Sequence, residues 1–270
     1  MCYRVPLYLL LSLALAAPLP GAAAPGDAGS SAAPLHVVID AGHGGHDSGA
    51  VGVGGLQEKR IVQAVALRAA AELEARGYQV TLTRDSDTFV PLDERVRAAN
   101  ELGADLFISL HCNSVAGPSQ RRARGIETYF LSAEATDEAA RRLASYENEA
   151  ASPEALPLDP TDPLSAILAD LAVSSAHDGA SRLAEQVHLR LVEATGWRDR
   201  GVRQAPFVVL NGARMPAILV ELGFLSHPRE GRALAEPDTQ SQLAEALSDG
   251  VDGFRALFEP GEGAKVAQRP

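Results

Sequence analysis

Two histidines and two glutamates stand where apolar runs of this chain give way to loops or open a helix. His43 follows the run Leu35 to Asp40, and Glu58 opens an amphipathic helix. His111 follows Leu106 to Leu110, and Glu221 follows Ala217 to Val220. Two imidazoles and one carboxylate are the protein ligands of one class of catalytic zinc site, whose fourth position is left to water or substrate. A second carboxylate beside that water has the chemistry of a general base. Such groups converge if the apolar runs are strands of one open α/β sheet, because ligand sites form in the crevice outside the carboxyl ends of the strands.

Each residue also has a plainer reading. Glu58 suits a first helical turn through the helix dipole, although it shares a face with Ile61, Val62, Val65, Ala69 and Leu73, where a carboxylate needs a positive partner. His43 lies in the glycine-dense turn Ala41 to His46, and His46 is a rival ligand expected on the rim. The same turn has neither a clean G-x-G-x-x-G nor a P-loop lysine, so it is a poor phosphate cradle. His111 read alone is equally a satisfied core group. Glu221 alone is a cap for the next turn, yet an acid in so apolar a setting has a raised pKa unless a cation is near. His36, His177, His188 and His227 read as surface or core filler. Cys112 reads as a small buried residue at a strand end, with a thiolate ligand or nucleophile as the alternative.

The elements that would position these groups alternate. Strands are expected at 35–40, 78–83, 105–110, 125–131, 207–210 and 217–220, with helices at about 57–76, 91–102, 178–195 and 238–258. The last helix carries Leu243, Leu247, Val251, Phe254 and Phe258 on one face. The expected fold class is α/β, a single domain with a twisted, mostly parallel or mixed sheet flanked by helices. Between residues 132 and 177 the rhythm breaks into a charged alanine-rich helix (137–151), a proline-rich stretch (152–163) and a short helix (164–174). Loops of that length inside a domain are usually functional.

The chain has 270 residues, 46% hydrophobic and 22% charged, with net charge −11. Such an acidic balance argues against nucleic acid as a partner. Residues 1–24 have the outline of a secretory signal peptide: Arg4 in a short positive start, an apolar stretch from Val5 to Ala17, and small residues before Pro25. Cleavage there removes Arg4 and Cys2 and no acid, which leaves Cys112 and no internal disulfide. Residues 25–34 read as a linker, 35–258 as the catalytic domain and 259–270 as a flexible tail. The chain is expected to be exported, to the periplasm, with no stable membrane span after cleavage.

Read together, the segments Val37-Val-Ile-Asp-Ala-Gly-His-Gly-Gly-His-Asp-Ser-Gly-Ala50, Glu58-Lys59, Leu82-Thr-Arg-Asp-Ser-Asp87, Leu92-Asp-Glu-Arg95, Ala104-Asp-Leu-Phe-Ile-Ser-Leu-His-Cys-Asn-Ser114, Gly125-Ile-Glu-Thr-Tyr129, Arg200-Gly-Val-Arg203 and Pro216-Ala-Ile-Leu-Val-Glu-Leu-Gly-Phe-Leu-Ser226 resemble the zinc-dependent N-acetylmuramoyl-L-alanine amidases of family 3. The resemblance spans about 35–258. It implies zinc (Zn2+) as cofactor, ligands at His43, Glu58 and His111, a catalytic Glu221, and peptidoglycan as substrate. Cys112 departs from the family, which more often has alanine there. The 132–177 segment resembles the regulatory insertion of the cell-division amidases, whose helix covers the zinc cleft until a LytM-type activator withdraws it. That likeness implies that one acid among Glu138, Glu147 and Glu149, with Glu147 preferred, occupies the open zinc position at rest. A zinc peptidase cutting within the stem peptide and a non-catalytic peptidoglycan-binding module are the competing readings. The lack of an H-E-x-x-H helix speaks against the commonest zinc protease pattern.

Overall fold

A computed structural model describes residues 34–150 and 163–258, with side chains given outside 163–175. The signal segment, the linker up to Ala33, the proline-rich stretch and the tail lie outside the described residues. Six strands form one sheet: β1 (His36–Ala41), β2 (Gln79–Leu82), β3 (Leu106–Asn113), β4 (Ile126–Leu131), β5 (Asp199–Ala205) and β6 (Ala217–Phe224), in the order β2-β1-β3-β6-β4-β5. The first four in that order are mutually parallel, whereas β4 runs antiparallel to β6 and carries β5 parallel to itself.

Alternation along the strands assigns the two faces. Leu106, Ile108, Leu110 and Cys112 of β3 join Ile218, Val220 and Leu222 of β6 in one core. That core is covered by α1 (Glu58–Ala75), α4 (Pro163–Thr195) and α6 (Pro237–Ala256). The opposite face puts Phe107, Leu219 and Tyr129 against α2 (Leu92–Glu101) and α3 (Glu138–Glu147). A period of two makes every odd residue of β3 share that second face. His111 and Glu221 are register partners on neighbouring strands, and Glu221 pairs in turn with Glu127 of β4, so the three form a row across the sheet.

Three sequence expectations are corrected. Residues 207–210 form a 3-10 turn (Val208–Leu210), and the strand precedes it at Asp199–Ala205. Its arginines and glycine hide the strand pattern. The helices expected at 164–174 and 178–195 are one continuous α4 of 33 residues. Phe258 lies past the end of α6 and is exposed, its ring tilted against that of Phe254 with centroids 5.0 Å apart. A short helix, α5 (Glu230–Leu234), follows β6.

Candidate metal centre

The turn after β1 reverses so tightly that His43 adopts a left-handed backbone conformation, φ 59°. Strain of that kind persists only where the surroundings over-determine it, and here two buried arginines do so. Arg95 of α2 donates to the carbonyls of Ala41 and His43 and to Asp40, while Arg84 donates to the carbonyls of Ala41, Gly42 and Lys59. The neighbouring glycines are sterically required. A Cβ at Gly42 would stand 2.5 Å from the His111 ring, and one at Gly49 would stand 2.5 Å from His43 and 2.6 Å from Glu58. Asp47 completes the turn: its Oδ2 lies 2.8 Å from His43 Nδ1 and its Oδ1 accepts from Gly49 N. With Nδ1 donating to a carboxylate, Nε2 is left as a metal-binding lone pair.

Glu58 enters from the first turn of α1. It is fully buried, and its oxygens accept from the backbone N–H groups of Cys112 (2.9 Å) and Ala50 (2.8 Å). His111 arrives from the end of β3, edge-on to His43 with ring centroids 4.9 Å apart. The fourth member is Glu147, from the last turn of α3. Ala140, Ala144 and Glu147 recur at the spacing of one helix face and are the buried residues of that helix. Asp137 caps its N-terminus and pairs with Arg203 at 2.6 Å, while Asn148 at its other end donates to Pro206 O and accepts from Val208 N, each at 2.8 Å.

The donor atoms converge. Glu58 Oε1 lies 3.1 Å from both His43 Nε2 and His111 Nδ1, and Glu147 Oε2 lies 3.4 Å and 3.0 Å from the same two nitrogens. His43 Nε2, His111 Nδ1 and Glu147 Oε2 are buried without a hydrogen-bond partner among the described residues. Zinc ligands about 2.1 Å from a tetrahedral centre stand about 3.4 Å apart, so the set fits a zinc-sized cation with N and O donors. The site's electrostatics point the same way. Burial works against protonating His111, yet the carboxylates of Glu147 and Glu58 outweigh it and push its pKa up to about 10. His43 is raised as well, with burial opposing and Glu58 and Asp47 prevailing. Two carboxylates therefore demand positive charge at this point.

Glu221 lies beside this cluster on β6, fully buried, with neither carboxylate oxygen hydrogen-bonded among the described residues. Burial first, then the charge of Glu147, drives its pKa well above the usual carboxylate range. The next acid in the row, Glu127, is instead salt-bridged to Arg200 at 2.7 Å and accepts a hydrogen bond from Asn113 Nδ2 at 2.9 Å. A cleft of about 480 Å³ opens beside Glu127 and Glu147, lined among others by Asn113, Tyr129, Tyr146 and Arg200.

His46 lies exposed on the rim against Phe89. Glu138 is exposed and paired with Arg141 and Arg142, and Glu149 is exposed at the cluster's other opening. Cys112 points into the opposite core, and burial followed by the charges of Glu58 and Glu221 raises its thiol, which fits the buried-residue reading. His188, expected as filler, is buried between Thr128 and Asp199. Sequence reading missed Asp47, Arg84, Arg95, Glu127 and Arg200. The four-residue spacing from His43 to Asp47 was the available signal for the first.

The family model described as N-acetylmuramoyl-L-alanine amidase matches residues 37–253. The chain is 35% identical over 219 residues to N-acetylmuramoyl-L-alanine amidase AmiC of Neisseria meningitidis, covering 81% of this chain and 52% of that protein. It is 34% identical over 227 residues to AmiA of Escherichia coli, covering 83% and 77%. The chain thus spans about half of the Neisseria relative and about three quarters of the Escherichia one. The solved amidase AmiC2 of Nostoc punctiforme superposes with a TM-score of 0.63 at 33% identity, over 82% of this chain and 97% of that one. On the family match and these identities, the chain belongs to the N-acetylmuramoyl-L-alanine amidase family.

Proposed function

We propose that this protein hydrolyses the amide joining the lactyl group of N-acetylmuramic acid to L-alanine in peptidoglycan, at a single zinc ion held by His43, Glu58 and His111. The observation that carries the reading is the convergence of four buried ligand atoms within 4.8 Å of one another, the Glu58 and Glu147 oxygens standing 3.0–3.4 Å from the two imidazole nitrogens. Held by His43, Glu58 and His111, zinc would supply Lewis acidity for the scissile carbonyl and lower the pKa of a bound water. With a cation held beside it favouring the ionised form, the Glu221 carboxylate would take a proton from the attacking water and return it to the leaving amine. Asp47 holds the tautomer of His43, and Glu58 is fixed by two backbone N–H groups before any substrate arrives. Glu221→Gln keeps the shape and abolishes the proton transfer. The expected outcome is unchanged zinc stoichiometry with a rate lower by about 10²–10⁴; normal hydrolysis by this variant would remove Glu221 from the role. Mass analysis of digested sacculi separates this activity from stem-peptide cleavage, since only an amidase releases whole stem peptides.

Glu147 supports a resting, autoinhibited state. A catalytic zinc keeps one position open, whereas four protein donors describe a closed site. As long as α3 is docked, Glu147 fills the place that water and substrate need. Turnover then requires α3 to move, and a LytM-type activator is the partner we infer for that step. Work outside the cytoplasm, in the periplasm and in wall remodelling or daughter-cell separation, rests on the composition of residues 1–24 and on the substrate. Among the described residues no helix is long and apolar enough to cross a membrane.

A further inference from the structure

A second pocket of about 390 Å³ lies where β4 and β5 begin and β6 ends, lined by Arg124, Trp197, Arg198, His227, Arg229 and Glu230 among others. For a chain of net charge −11, three guanidinium groups around one cavity form a concentrated reversal of sign. All three arginines are exposed, and none has a hydrogen bond or ion pair on its side chain among the described residues. The acid of the pocket, Glu230, is buried and turned to the backbone, where one oxygen accepts from Gly125 N and Phe224 N. Trp197 supplies an aromatic wall that packs against the core under α1, α4 and α6, where a Cβ on Gly223 would meet its ring at 2.6 Å.

The pocket's place in the fold says what would enter it. Arg124 precedes Glu127 by three residues and Arg198 precedes Arg200 by two, so the pocket sits roughly 10 Å along the strands from the row that contains Glu221. An extended peptide covers that distance in about three residues. We propose that the pocket takes a carboxylate of the stem peptide, about three residues from the scissile amide, with guanidinium groups as donors and Trp197 against the peptide's apolar stem. The proposal rests on the amidase reading for the identity of the peptide.

Trp197 is the sole tryptophan of the chain, so its fluorescence reports on the pocket directly. The full chain is titrated with a stem peptide carrying free carboxylates, with the same peptide fully amidated, and with inorganic phosphate. The expected result is a saturable change with the free acid, binding at least tenfold weaker for the amide and for R124Q/R198Q, and near-full recovery in R124K/R198K. Equal binding of the amide, or an unaltered R124Q/R198Q, would overturn the site, and phosphate binding as tightly as the peptide would overturn the peptide assignment. Sacculus digestion with the same preparation keeps the two readings apart. A Trp197 response without released stem peptides sinks only the amidase activity, and release without the response sinks only the pocket.

Discussion

Glu147 and Glu221 are both buried acids facing one cluster, yet their surroundings push them in opposite directions. Burial raises both, but the His111 charge lies close enough to Glu147, at 3.0 Å, to bring it below the usual carboxylate range, whereas Glu221 is left raised. Paired environments that separate two acids are how sites divide roles. If Glu147 only blocks the fourth position, Glu147→Ala should raise basal hydrolysis of sacculi by about tenfold or more while His43, Glu58 and His111 still hold one zinc. A permanent ligand would behave oppositely, with zinc content and rate falling together. Assays of metal stoichiometry and dye release on one sample decide between them. The plain character of Glu147 in the sequence, one of several acids on a charged helix, explains why only resemblance pointed to it. His111, by contrast, was marked by the apolar run it ends.

At the scale of elements, β1, β3 and β6 were legible because buried parallel strands read as continuous apolar runs. Strand β5 was not, since an edge strand needs only partial burial and Asp199–Ala205 is polar. The antiparallel entry of β4 was equally hidden, because direction is fixed by pairing with β6 and not by composition. What positions β1 was hidden too: Asp40 is fully buried, salt-bridged to Arg95 at 2.7 Å, and accepts from Thr83 and Ser109. Burial alone would raise Asp40, but Arg95 and those hydroxyls prevail and lower it. Asp40→Asn leaves the Arg95 charge buried and uncompensated, a change that costs about 3–5 kcal/mol. Because the folded pKa lies below the unfolded one, that contribution is complete above about pH 4 and is lost as pH falls through the folded value. Urea titrations of wild type and variant should show a gap that is constant above about pH 4 and narrows below it. A gap independent of pH would remove the ion pair as its source.

For the molecule as a whole, each face of the sheet has its own core, the second face also carries the row of acids, and the proposed metal site would tie the two together. Glu58 comes from α1 on the first side, His111 from β3, and Glu147 from α3 on the second. An ion gripped by all of them should therefore stabilise the fold globally. At zinc a thousandfold above Kd, linkage gives about 4 kcal/mol. For a domain of this size each kcal/mol moves Tm by about 2–4 °C, so thermal unfolding should rise by about 8–16 °C. Magnesium, which prefers octahedral oxygen ligands, should move it far less. Glu58→Gln withdraws the carboxylate that touches both imidazoles, and should remove most of the zinc-dependent rise. Glu147→Ala should keep the larger share, because the three remaining donors already make a catalytic zinc site. A zinc response that survives Glu58→Gln intact would place the ion elsewhere and undo the ligand set on which both the proposed hydrolysis and its proposed inhibition by α3 depend.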